Sequence, residues 1–395
     1  HVHTMGEAAA QPAFPALRGL LLLTALTRAV AVATSTQASV VSRATWRPSV
    51  LAVSPHEAAT LLGGAGRARA IWEQLRQGVD PFDEDALPKT PRARARLLSS
   101  LSPPAAETIA QSDSSCGTRK LLLRLEDGLS VECVVIPSPN GLFSTVCVSS
   151  QVGCMRGCAF CATGAMGLTR SLTTHEILEQ LFAALVACKR NGMPPIRNIV
   201  FMGMGEPLDN LDSVKSALEV MQDPFGFALS KKHLCVSTVG PSPQSIRALT
   251  SVGARLAWSV HAAEDSLRKL LVPTTAHSMA ELRDAFAQVL AERNDRGLMV
   301  EIALIDGVND GLADAEALHA LLRPLPGKTR VNLIPYNVNE GLGAVGRQFK
   351  PSSSSSVSRF QKYLIERELI CTVRETRGDG ESAACGQLAV SVRAP

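Results

Sequence analysis

Apolar positions along this chain recur with two different periods, and the change of period divides it. Between Pro55 and Ser112 the spacing is that of short helices. In ARAIWEQLRQG, Ile71, Trp72 and Leu75 fall on one face and Gly78 supplies a stop. TPRARARLLSSL follows, with Arg92, Arg94 and Arg96 ahead of Leu97, Leu98 and Leu101. LLLRLEDGLSVECVVIP, from Leu121 to Pro137, then alternates as a hairpin does, with Asp127-Gly128 near its turn. Thr173 and Glu176 form a capping box for a helix bearing Ile177, Leu178, Leu181, Leu185 and Cys188, which Pro194 and Pro195 break. NIVFMGMGEPL, HLCVSTVG, RLAWSVHAA, LMVEIALIDGVND and TRVNLIPYN are strands at regular intervals with helices between them. A serine-rich loop, KPSSSSS, precedes a last helix over Val357 to Leu369. Such βα alternation predicts an α/β fold with a parallel sheet and right-handed crossovers, closed or partly closed into a barrel. Chemistry in such barrels gathers at the C-terminal ends of the strands.

Composition refines this division. An apolar fraction of 46% is ample for a core. The net charge of +4 is placed unevenly, because the first 50 residues hold Arg18, Arg28, Arg43 and Arg47 against the single acid Glu7. The remaining residues are almost balanced, so a nucleic-acid surface on them must be a local patch. The basic, Ser/Thr/Ala-rich start reads as a leader for plastid or mitochondrion. Its apolar run, Gly19 to Thr27, is too short to span a bilayer, and no membrane association is expected. The expected organisation is a disordered leader over 1–50, a helical accessory domain over 51–116 and a catalytic core over 117–395. The accessory helices are either a cap with solvated arginines or an RNA-guiding unit.

The polar motifs fall where the barrel puts its chemistry. Cys154, Cys158 and Cys161 form CxxxCxxC on one tight loop, with Phe160 before the last thiol. Structural zinc closes with four ligands, usually as two pairs, and no second pair is evident. A [4Fe-4S] cubane normally takes four thiolates, so three leave one iron open. Gly203, Gly205 and Glu206 end a strand, where a carboxylate can accept from an ammonium group. Ser237, Ser259 to His261 and Asn337 stand at further strand ends, where short polar groups can hold a ligand. Glu132 lies among β-branched neighbours, and Cys147 precedes the cysteine loop. Cys385 follows a Gly/Asp/Ser loop with Arg374 and Arg377 nearby, a setting expected to expose the thiol and favour its thiolate. Cys116, Cys133, Cys188, Cys235 and Cys371 read as small buried hydrophobes.

CxxxCx(aromatic)C is the signature of the radical S-adenosylmethionine (SAM) enzymes. VECVVIP, CVSSQVGCMRGCAFCATG, GMGEPL, SVHA, VNLIPYN and TRGDGESAACGQLA together resemble the RlmN/Cfr adenosine methyltransferases across roughly residues 55 to 390. Two departures stand out: a slightly long spacer from Glu132 to Cys147, and the variation around Ser237 in VSTVG. The resemblance implies a radical SAM partial (β/α)6 barrel with a small N-terminal helical domain. It implies a [4Fe-4S] cluster on Cys154, Cys158 and Cys161, and SAM contacts at Gly205, Glu206, Ser237, Ser259, Val260, His261 and Asn337. It also implies that Cys385 takes a methyl group from one SAM and that a radical from a second SAM activates that methyl for addition to adenine. Glu132 then removes the ring proton, and Cys147 attacks Cys385 to release the product through a transient disulfide. The substrate so implied is adenosine carbon 2 in large-subunit ribosomal RNA, with transfer RNA a further substrate in some members. A flavodoxin- or ferredoxin-like electron donor and a monomeric chain are expected. The competing readings are carbon 8 specificity, a radical SAM enzyme of other chemistry, and a zinc-stabilised RNA-binding module.

Overall fold

A computed structural model describes residues 47–295, 297–339, 342, 346–374 and 383–388. Most of the expected leader therefore lies outside the described residues, as do Arg377 and the loop before Ala383. The part of the leader that is described joins the fold: Val50 is fully buried, and its N–H donates to the carbonyl of Ser102 at 2.9 Å.

Three helices come first: α1 (Pro55–Leu62), α2 (Ala65–Arg76) and α3 (Pro91–Ser100). Ser54 and Glu57 close a capping box on α1, and Gly78, at φ 62°, turns the chain beyond α2 as its sequence position predicts. Ile71, Trp72 and Leu75 are buried as predicted, whereas Leu98 is exposed and Leu97 alone of α3 enters the core.

The strand β1 (Glu107–Asp113) occupies a segment expected to continue the helices. It is an edge strand with an exposed, mostly polar sequence, so it carries no alternating apolar signal. It pairs antiparallel with β2 (Arg119–Arg124), which pairs with β3 (Ser130–Pro137) in the predicted hairpin. β3 pairs antiparallel with β4 (Ser144–Val148), with Val134 opposite Cys147. A small ribbon of β5 (Gln151–Gly153) and β6 (Leu168–Ser171) flanks α4 (Ala162–Ala165) and encloses the cysteine loop.

From β4 onward the sheet is parallel. α5 (Thr174–Arg190), β7 (Ile196–Phe201), α6 (Leu211–Gln222), β8 (Leu234–Thr238), α7 (Pro243–Arg247) and β9 (Arg255–Ser259) follow in turn. After them come α8 (Asp265–Leu271), α9 (Met279–Arg293), β10 (Met299–Leu304), α10 (Leu312–Leu322), β11 (Arg330–Pro335), α11 (Ser354–Ile365) and β12 (Ile370–Val373). The spatial order β1-β2-β3-β4-β7-β8-β9-β10-β11-β12 leaves the sheet open between β12 and β1, which is the expected partial barrel with an antiparallel extension. The capping box of Thr173 and Glu176 starts α5 as predicted. α11 begins earlier than expected, inside the serine run, because the Ser353 hydroxyl accepts the Ser356 N–H at 3.1 Å and caps it. Among the described residues no helix is long and apolar enough to cross a membrane.

Candidate active site

The C-terminal ends of β7 to β11 open into one cavity with the cysteine loop as its far wall. Cys154, Cys158, Cys161, Gly205, Glu206, Ser237, Ser259, His261, Asn337 and Cys385 all line it. The topology thus brings together ten residues spread over more than half of the chain. Val260 faces away: its side chain is buried, and its N–H donates to the Glu301 carbonyl at 3.0 Å.

Burial pushes the three loop thiols upward, Cys154 to about 12, because a thiolate there loses its water. Their surroundings nevertheless offer donors. The Arg156 N–H points at the Cys154 sulfur at 3.5 Å, backbone N–H groups of Thr163 and Gly164 face Cys161, and the Arg268 cation favours the Cys158 thiolate. Three desolvated soft donors along one wall suit a polynuclear iron–sulfur centre, which spreads its thiolates over several metal atoms.

Glu206 is the acid of the cavity. Its carboxylate accepts N–H groups from Leu208 at 2.9 Å and Val239 at 3.0 Å, while burial pushes it up to about 7. A cationic ligand group in the cavity would reverse that shift, which is the electrostatic match for an ammonium. Gly205 adopts φ 98°, and a Cβ there would lie 2.6 Å from Gln151 Cβ. Its smallness therefore serves packing against Gln151, whose side-chain oxygen accepts the Glu206 N–H at 2.9 Å. Gly203 is similarly pressed against the Val148 carbonyl. Ser237 and Ser259 share a hydroxyl contact of 3.1 Å. His261, at φ 53°, accepts the Ala303 N–H on Nδ1 at 3.1 Å, and burial holds the ring neutral with its proton on Nε2.

Sequence reasoning missed the residues that hold this site together. Arg268, almost wholly buried, donates to the carbonyls of Ser259, Val260 and Val239 at 2.9, 2.5 and 2.5 Å and so ties the ends of β8 and β9 to α8. Arg156 grips Asp209 through two bonds of 2.7 and 2.6 Å. Thr163 donates to the Leu388 carbonyl at 2.5 Å and Asn339 to that of Gly386 at 2.8 Å, docking the C-terminal segment onto the cysteine loop. Asn337 donates to the Cys385 carbonyl at 3.1 Å, a tethering bond that its expected ligand-binding role did not anticipate.

A second, smaller cavity adjoins the first and shares Met202, Ile334, Asn337, Cys385 and Leu388 with it; Ile136, Cys147, Arg374, Ala383 and Ala384 complete its walls. Burial pushes Cys147 up to about 12 and raises Cys385 as well, with Arg374 opposing both shifts. The expectation that Cys385 is an exposed thiol poised as thiolate is corrected on this point: the docked segment half-buries it, and desolvation outweighs the cation. Glu301 reaches Arg374 at 3.8 Å, so an acid at the larger cavity steadies the guanidinium of the smaller one. Both thiols are free, and a standing disulfide has no support. Glu132 is on the same face of β3 as Val134, the partner of Cys147, but it lines neither cavity and pairs with Lys120 at 3.1 Å.

Comparison with known proteins agrees with this geometry. The Radical SAM superfamily matches residues 148–319. A dual-specificity RNA methyltransferase RlmN from Geobacter sulfurreducens is 42% identical over 82% of this chain and 85% of its own length. The RlmN of Halorhodospira halophila is 42% identical over 83% and 88%, and that of Rhodopseudomonas palustris 37% over 87% and 89%. A crystal structure of a radical SAM methyltransferase from Sphaerobacter thermophilus superposes with a TM-score of 0.77 at 37% identity, covering 86% of this chain and 99% of the other.

Proposed function

Because the chain belongs to the RlmN family of radical SAM RNA methyltransferases, with a [4Fe-4S] cluster and SAM as cofactors, we propose that it methylates adenosine carbon 2 through two of its own cysteines. Large-subunit ribosomal RNA is the substrate in this reading, with a transfer RNA as a second one. The observation that carries it is the position of Cys385 in the wall common to both cavities, facing the cluster loop on one side and Cys147 on the other.

Cys154, Cys158 and Cys161 would hold the cluster, and Gly205, Glu206, Ser237, Ser259, His261 and Asn337 would hold SAM, with Val260 behind that wall, its N–H and carbonyl engaged by Glu301 and Arg268. When bound, these cofactors supply the methyl group and the radical that activates it. Carbon 2 of adenine is too electron-poor to attack a methyl sulfonium itself, whereas a thiolate can. Cys385 fills that role, and Arg374 lowers the cost of its thiolate in a desolvated place. After the carbon–carbon bond forms, Glu132 takes the ring proton, which requires its carboxylate to leave Lys120. The unpaired electron left by the radical addition would go to the iron–sulfur centre. Cys147, as thiolate, then attacks the Cys385 sulfur; an S–S bond forms as the C–S bond breaks, and the electron pair left on the new carbon takes up a proton to complete the methyl group. A target base must leave its stack to reach the cavity, so shape readout and base flipping belong to this reading.

The reductant in this proposal is a flavodoxin- or ferredoxin-like protein, and the chain acts as a monomer. The three relatives named above are bacterial, and nothing in them supports the plastid or mitochondrial destination expected from the leader.

The test is to incubate reconstituted, reduced enzyme with methyl-labelled SAM and protein-free large-subunit ribosomal RNA, then digest the RNA and identify the labelled nucleoside by mass spectrometry. Label in 2-methyladenosine is expected. Label in 8-methyladenosine would keep the two-cysteine chemistry and overturn the carbon specificity.

A further inference from the structure

Beyond the cavity, one end of the sheet carries charge that the chemistry does not use. The N-terminal ends of the parallel strands lie opposite the mouth, and they are lined with exposed cations. Arg197 is the second residue of β7, Lys231 and Lys232 lead into β8, Arg255 opens β9, and Arg330 opens β11. β7, β8 and β9 are successive neighbours and β11 lies one strand further on, beyond β10, so the cations span one edge of about 20 Å, taking roughly 4.8 Å per strand, with a gap at β10.

None of these five has a carboxylate partner among the described residues. Two acids of the adjoining loops are engaged elsewhere: Asp223 accepts the N–H groups of Phe225 and Gly226 at 2.7 and 3.2 Å, and Asp295 pairs with Arg293 at 2.6 Å. His233 is held below its ordinary value by its burial first and then by the Lys232, Arg197 and Arg255 cations around it. The Arg197 guanidinium carbon stands over the Phe143 ring, 3.4 Å from its centroid, a cation–π contact that holds the head group at this edge. The loop before Lys231 is clamped by α2, where Arg76 donates to the Pro224 carbonyl at 2.5 Å and Trp72 meets Phe227 edge-on at 5.4 Å. A rigid, unpaired row of cations on a chain otherwise near charge balance has the features of a polyanion-binding surface.

We infer that the base of the sheet is a second RNA-binding face, which grips backbone phosphates of the substrate RNA while the target adenosine enters the mouth at the other end. The inference rests on the RNA-methylating activity of the family and not on which carbon is modified. A reductant must approach the cluster loop at the opposite end of strands about 20 Å long, whereas a folded RNA is large enough to engage both ends.

The test is equilibrium binding of a transfer RNA transcript and of a large-subunit ribosomal RNA fragment to the full-length, cluster-loaded chain over a series of salt concentrations. The variants are Lys232→Glu/Arg255→Glu and the milder Lys232→Gln and Arg255→Gln. The double reversal is expected to weaken binding of at least one of the two RNAs by about tenfold or more and to lower the slope of log affinity against log salt by about two; each neutral variant lowers it by about one. Cluster absorbance and SAM affinity should stay at wild-type values, which separates this outcome from misfolding. Unchanged affinity and unchanged salt slope for both RNAs in all variants would overturn the inference. So would a variant that keeps its RNA binding but loses affinity for the reductant protein, since the face would then belong to an acidic protein. A wrong carbon assignment would leave these binding results untouched and appear only in the nucleoside product.

Discussion

Cys385 belongs to two cavities that are assembled in different ways. The larger takes its polar groups from the ends of successive parallel strands: Gly205 and Glu206 beyond β7, Ser237 in β8, Ser259 in β9 and Asn337 beyond β11. Glu206 is braced by the N–H of Leu208 two residues on and Ser237 by the Ser259 hydroxyl on the neighbouring strand, while Asn337 reaches across to the Cys385 carbonyl. The smaller is walled by side chains from inside strands, Ile136 of β3 and Cys147 of β4, and by a segment from the far end of the chain. The first follows from a topology that always leaves strand ends facing one mouth. The second exists because particular side chains meet there. Damage to the first should therefore cost cofactor loading, and damage to the second should spare loading and stop turnover.

The largest effect is expected at the loop thiols. Cys158→Ala removes one of three cluster ligands, and both iron–sulfur absorbance and methylation should fall below detection after anaerobic reconstitution. A variant that kept its absorbance would break the assignment of the larger cavity. Gly205→Ala comes next. A side chain there must adopt φ 98° and press on Gln151, costing about 2–3 kcal/mol and displacing Glu206. SAM affinity measured by equilibrium binding should drop at least tenfold with the cluster retained. Arg374→Leu sharpens the contrast from the other side. Loss of the cation raises the Cys385 thiol further, so the fraction of thiolate at neutral pH falls. Methyl transfer to the protein, followed by intact mass, should slow about tenfold and recover as pH rises, while SAM affinity stays the same.

The smallest effect lies outside both cavities. Glu179 of α5 is buried at 2% exposure, accepts the Ala105 N–H at 2.7 Å, and is pushed by burial up to about 7. Its folded pKa exceeds its unfolded one, so the folded state holds the extra proton and stability declines as pH rises from about 4.5 to about 7. Glu179→Gln keeps an acceptor for Ala105 and should flatten this slope, gaining of order 1–3 kcal/mol above neutral pH. Thermal melts across that range would show it. An unchanged slope would place the burial cost elsewhere.

The same contrast explains what could be read from the sequence. Regular apolar runs such as NIVF and RLAW marked the parallel strands, and strand ends marked the larger cavity, because both follow from period and topology. Edge strand β1 has no apolar period, and α11 starts inside a serine run through a cap that composition alone conceals. The smaller cavity was legible only through resemblance, since nothing local to Cys147 announces a partner more than two hundred residues away. Arg268, Asn339 and Thr163 were invisible for a related reason. A long-range tether is defined by the carbonyl it reaches, and that carbonyl has no signature in sequence.

The claim that the second cavity resolves what the first begins is tested most directly with Cys147→Ala. Incubated with SAM, reductant and ribosomal RNA, this variant should retain its cluster, methylate Cys385, and accumulate a covalent protein–RNA adduct visible as a shifted band on a denaturing gel. The partner variant Cys385→Ala should give neither adduct nor methylated RNA. Free methylated RNA at the wild-type rate from Cys147→Ala, without an adduct, would contradict the account.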